Sequence, residues 1–111
     1  MNLDFTNLRK ITGGDAVMES ELFQIFLDSA QECLSLLRQS CGPEGESVWR
    51  GQAHAFKGLS FAIGADELGA LCREAQERAN APLAEKRKML VGIEQAYADV
   101  ALALKAHQSG A

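Results

Sequence analysis

The chain has 111 residues, 47% of them hydrophobic, with 11 basic against 15 acidic side chains and a formal net charge of −4. That length fits one domain with one core, and the acidic balance argues against a nucleic-acid binder, which would show a basic face. No stretch approaches the ~18 apolar residues of a membrane span, no charged and apolar leader opens the chain, and three scattered cysteines make no secreted disulfide scaffold, so a cytoplasmic protein is expected.

Gly and Pro punctuate the sequence at Gly13-Gly14, Gly42-Pro43-Glu44-Gly45, Gly64 and Pro82. Between these breaks the apolar spacing is helical, and no alternating β-branched run occurs. A short first helix is predicted over about Asp4 to Ile11. A second covers about Ala16 to Ser40, with Asp15 as N-cap and Leu22, Phe26, Ala30, Cys33 and Leu37 as its inward stripe. A third covers about Glu46 to Ile63, and Gly64 suits the left-handed residue that ends it. A fourth runs from Asp66 to Ala79 with Leu68, Leu71, Cys72 and Ala75 inward. Pro82 fits the first position of a fifth helix carrying Leu83, Leu90, Ile93, Tyr97, Val100 and Leu104. The expected fold is therefore all-α: an antiparallel up-down four-helix bundle with a short N-terminal capping helix. It forms one domain over 1–111, with a core of about 4–106 and a loose tail from Gln108 to Ala111.

The third helix carries the chemistry. On a wheel of 100° per residue, Val48, Trp49, Gln52, Phe56, Leu59 and Ile63 form an ordinary core stripe, with Ala53 and Ser60 at its edge. His54 falls on the far side, with Gly58 one turn later and Ser47 two turns earlier. Arg50, Lys57 and Phe61 share that outer face. A mid-helix glycine costs about 1 kcal/mol against Ala, which makes sense if another molecule must approach the ring. Lys57 and Arg50 suit a visitor with negative charge, and Phe61 suits an apolar part of its contact. These residues describe a nucleophilic imidazole with open approach and an ammonium nearby for phosphate oxygens.

The run Ala53-His54-Ala55-Phe56-Lys57-Gly58-Leu59-Ser60, continuing to Ile63-Gly64-Ala65, resembles the signature of histidine-containing phosphotransfer (HPt) domains. So do Ile11 to Asp15 with Glu21-Leu22 and Phe26-Leu27, and Leu68 to Cys72. The resemblance covers most of the chain. It implies that His54 accepts a phosphoryl group from the aspartyl phosphate of a receiver domain and passes it to another receiver. The donor would be the receiver of a hybrid sensor histidine kinase and the acceptor that of a response regulator. Lys57 would stabilise the phosphoryl oxygens and Gly58 would leave room for the receiver. Arg50, Phe61 and Ser47 are the expected docking residues. Magnesium belongs to the partner, so no cofactor and no metal site is expected here. Phe56 and Leu59 depart from the family pattern conservatively, and Phe61 is bulkier than its usual counterpart.

Without a Gly-rich loop of the required spacing, a phosphocarrier rather than an ATP-dependent kinase is expected. Two other classes stand beside this reading. One is a bundle that docks on and sequesters a receiver without accepting phosphate; the other is a histidine-kinase fragment that dimerises into a four-helix core. The chain has helices enough to close a bundle itself, so a monomer is expected. Elsewhere, Cys33 and Cys72 fall on apolar stripes and should be buried, Cys41 sits at a loop where exposure is expected, and His107 is expected to face solvent near the loose end.

Overall fold

The computed structural model describes residues 3–109. Helix α1 spans Thr6–Thr12 and ends at Gly13, whose φ of 63° lets its N–H turn back to the Arg9 carbonyl. Helix α2 spans Ala16–Gln39, and the Asp15 carboxylate accepts from the Met18 amide at 3.0 Å, as an N-cap should. A single 3-10 turn at Pro43–Gly45 leads into α3, Glu46–Ala62. Helix α4 is Asp66–Glu77 and α5 is Leu83–Ser109. Every predicted helix is present, with ends that differ by one or two residues. Pro82 stands just before α5 rather than within it, and its carbonyl accepts from Glu85 and Lys86, both at 3.0 Å. The C-terminal tail is corrected further: Gln108 and Ser109 are still helical, and Gln108 Nε2 donates to Ser20 Oγ at 3.2 Å. The last two positions of the expected tail lie outside the described residues.

Side-chain contacts fix how the helices run. Arg38 meets Glu94, Leu27 meets Tyr97, and Glu19 meets His107, so numbers rise along α2 as they fall along α5. His54 meets Gln76 while Phe61 meets Gly69 and Arg73, so α3 and α4 are antiparallel too. α2 packs on α3, α3 on α4, α4 on α5, and α5 back on α2. The four long helices thereby surround one continuous core in a rod of 44 × 20 × 19 Å.

The core is built from period-3.6 stripes with local adjustments. On α2, Phe23 is sealed beside Phe26, Ala30, Cys33, Leu34 and Leu37, whereas Leu22 is only half-buried. On α3 the buried face is Trp49, Ala53, Phe56 and Ser60. Val48, expected inside, is 47% exposed, and Ser60, expected at the edge, is fully buried. The helix is thus rotated by roughly 20° from the predicted wheel. The rotation is possible because Ser60 satisfies its hydroxyl on its own helix, donating to the Phe56 carbonyl at 2.7 Å. Trp49 hydrogen-bonds across the core, its Nε1 donating to the Ala75 carbonyl at 2.8 Å. Leu83 is on the surface at 39% exposure, and the inward position near the start of α5 belongs to Lys86 instead.

The turn between α3 and α4 has one further duty. Gly64 adopts φ 80°, and a Cβ there would lie 1.7 Å from the Asp4 carbonyl oxygen. The N-terminal segment crosses directly over it, with the Asp4 amide donating to the Gly64 carbonyl at 3.0 Å. Only glycine allows both the dihedral and the crossing.

Candidate functional site

His54 stands exposed in the middle of α3, away from the core stripe. Its Nδ1 lies 3.4 Å from Oε1 of Gln76 on α4. An amide oxygen can only accept, so the contact favours the proton on Nδ1 and leaves the Nε2 lone pair free. Sequence reasoning missed Gln76, because nothing in a single-chain pattern says which residue of the next helix faces His54.

The approach to the ring is open. A Cβ built at Gly58 would meet nothing within 4 Å, and the same is true of Gly51. Ala55 and Ala62 are exposed as well, so the flank of α3 beside His54 carries only small groups. Lys57 is half-buried one turn along from the ring, and no carboxylate among the described residues lies within 4 Å of its ammonium.

The residues assigned to docking are less uniform. Ser47 is exposed. Arg50 is exposed but sits 3.4 Å from Glu46, one turn back on the same helix, so part of its charge is already answered. Phe61 is half-buried and leans on α4, where a Cβ on Gly69 would come within 2.8 Å of its ring. The Arg73 guanidinium lies over that ring at 5.2 Å. Phe61 therefore does not stand free on the outer face.

A feature absent from the sequence reading adjoins this face. Leu8 and Ile11 of α1, Leu22 and Ile25 of α2, and Leu59 and Ala62 of α3 line an apolar groove of about 200 Å³. Ile11 is 73% exposed and Ile25 57%. His54, Gly58 and Ala62 form one i, i+4 ridge of α3, so the groove begins two turns from the imidazole. Three helices contribute to it, which is why no one helical stripe reveals it.

Two expectations away from the site need correction. Cys41 is buried, with Sγ 3.4 Å from the Leu37 carbonyl oxygen, and burial pushes its thiol up. Cys33 and Cys72 are buried as expected, and burial pushes Cys72 up to about 12. His107 does not face open solvent. Its ring lies 4.7 Å from that of Phe5 and 5.9 Å from that of Phe23, and Nε2 is 3.7 Å from a Glu19 carboxylate oxygen. The helical extension of α5 past Ala106 is what carries it there. Among the described residues, no group of three His, Cys, Asp or Glu side chains is placed to hold a metal ion, and no helix is long and apolar enough to cross a membrane.

The family model of the Hpt domain matches residues 21–107, which takes in most of α2, all of α3 and α4 with His54, Lys57 and Gly58, and nearly all of α5. Among curated proteins and among solved structures, nothing matches the chain.

Proposed function

The chain belongs to the Hpt domain family, and from that premise we propose that His54 is its phosphoacceptor, taking a phosphoryl group from the aspartyl phosphate of one receiver domain and giving it to the aspartate of another. Histidine phosphotransfer in phosphorelays is the family's function. The assignment to His54, the donor in a hybrid sensor kinase, the acceptor in a response regulator, and a cytoplasmic monomeric state are our reading.

One observation carries it: an exposed imidazole has one nitrogen engaged by Gln76 and the other unobstructed, beside a glycine with empty space above it. The free Nε2 lone pair attacks phosphorus in line. The new N–P bond forms as the P–O bond breaks, and the aspartate leaves as a carboxylate. The ring then carries positive charge shared with the Nδ1 proton, which Gln76 Oε1 accepts as a hydrogen bond. Lys57, one turn away and without a carboxylate partner among the described residues, meets the phosphoryl oxygens. Transfer to the second receiver is the same step reversed. Positioning and charge stabilisation supply most of the catalysis. The chain needs no cofactor of its own, and the magnesium sits with the receiver.

Incubation with phosphorylated receiver domains tests this. Acid-labile label is expected on the wild type and none on His54→Gln, with stability changed by less than about 0.5 kcal/mol because the site is exposed. Lys57→Ala should slow transfer without abolishing it. A labelled His54→Gln protein refutes the assignment, and tight receiver binding with no label on the wild type would favour the sequestering adaptor.

A further inference from the structure

The geometry points to Arg73 as a partner-selecting residue: a guanidinium braced by Phe61 and Gly69 about two helical turns from the phosphoacceptor, fitted to an acidic side chain on the rim of a receiver's phosphorylation pocket. The proposal rests on the phosphocarrier reading and deepens it.

Placement comes first. His54 on α3 faces Gln76 on α4, and Phe61 faces Gly69. The helices are antiparallel. Lys57, three residues after His54, and Arg73, three residues before Gln76, therefore stand at the same level, about 4.5 Å along the axis from the imidazole. The Arg73 side chain then runs on toward Phe61, so its guanidinium lies about 10 Å along the α3–α4 seam from the imidazole, beyond Lys57.

Charge comes second. Arg38, Arg50 and Arg78 each rest on a glutamate of this chain. Neither Lys57 nor Arg73 has a carboxylate within 4 Å among the described residues. In a protein of net charge −4, two cations on one seam without a carboxylate partner among the described residues suit an acidic visitor.

Rigidity comes third. A free arginine on a helix surface explores many rotamers, and holding it still costs conformational entropy on binding. Here the guanidinium lies over the Phe61 ring at 5.2 Å, a cation–π distance. The ring is seated because Gly69 has no side chain, and even a methyl there would come within 2.8 Å of it. Phe61 thus gains a role as a brace for a charge that does the docking. This also accounts for its bulk, since a small residue at 61 would leave Arg73 unsupported.

A panel of receiver domains, each phosphorylated with acetyl phosphate, provides the test, with phosphoramidate as a small donor that needs no docking. Phosphoramidate labelling should be equal in wild type, Arg73→Ala, Arg73→Glu and Phe61→Leu. Labelling by the preferred receiver at low salt should fall about tenfold for Arg73→Ala and further for Arg73→Glu, where attraction becomes repulsion. Arg73→Lys should recover most of the rate, and Phe61→Leu should lose about threefold, as a brace would. Added salt should slow the wild type more steeply than Arg73→Ala. Wild-type and Arg73→Glu proteins labelled equally by every receiver would overturn the role of Arg73 alone. No label on the wild type from any receiver or from phosphoramidate would overturn the phosphocarrier reading with it.

Discussion

A methyl group added at Gly58 would meet nothing within 4 Å, so the glycine serves no packing inside this chain. It nevertheless weakens α3 by about 1 kcal/mol relative to alanine. Gly58→Ala should therefore stabilise the protein by about that amount, read as a rise in the urea midpoint. Gly58→Gln should keep most of that gain and lose receiver-driven labelling at least about tenfold, because a long side chain would stand beside the ring that the receiver must reach. If Gly58→Gln transfers as fast as wild type, the open space above position 58 has no function. His54, Lys57 and Gly58 were legible in the sequence because all three lie on one helix, where a wheel fixes their relation. Gln76 and Arg73 were not, because their relation to His54 depends on the register between α3 and α4.

Helix boundaries followed from local chemistry that the sequence displays openly. Asp15 offers its carboxylate to Met18, and Gly13 and Gly64 take up positive φ where helices end. Faces were harder. The wheel treats every apolar residue as equally inward and every charged one as outward, and α5 departs from that rule. Lys86 is 1% exposed, with its ammonium 5.3 Å from the Trp49 ring centroid, while Leu83, a turn earlier, is on the surface. The side chain of a helical residue leans toward the N-terminus, so Lys86 lays its stem along the core and brings its charge to the end of the bundle. A cation–π contact returns about 0.5–2 kcal/mol, against the cost of holding an ammonium close to the apolar core at the end of the bundle. No carboxylate within 4 Å among the described residues offsets the remainder. Lys86→Met, which keeps the stem and removes the charge, should stabilise the fold by about 1 kcal/mol, visible as a rise in Tm of roughly 4–8 °C for a domain of this size. A lower Tm would mean that the ammonium contributes more through Trp49 and the nearby end of α4 than its partial desolvation costs.

Across the whole molecule, the exposed face combines three kinds of surface: small residues on α3 beside His54, cations on the α3–α4 seam with no carboxylate partner among the described residues, and an apolar groove between α1, α2 and α3. The all-α class and a single core were legible from spacing alone, since burying four helical stripes requires them to face one another. The groove was not, because its residues are the margins of three separate stripes, which meet only once α1 is set against α2. Its position is held from both sides. The Asp4 amide donates to Gly64, and Phe5 packs against Phe23 and His107. Ile11 and Ile25 remain largely exposed there, an arrangement that costs solubility and returns nothing to the core. A receiver that covers His54 would also reach this groove along the Gly58–Ala62 ridge, and burying two isoleucines would add apolar contact to the charge pairing at Arg73. Ile11→Ser with Ile25→Ser should change stability by less than about 0.5 kcal/mol, since both side chains already face water. Receiver-driven labelling should fall about tenfold, mainly through faster dissociation of the complex. Phosphoramidate labelling of His54 should not change. Because the lost contact is apolar, the decrease should persist at high salt, whereas the Arg73 effect fades. Equal receiver-driven rates for the double variant and the wild type would confine docking to the α3–α4 side of the imidazole.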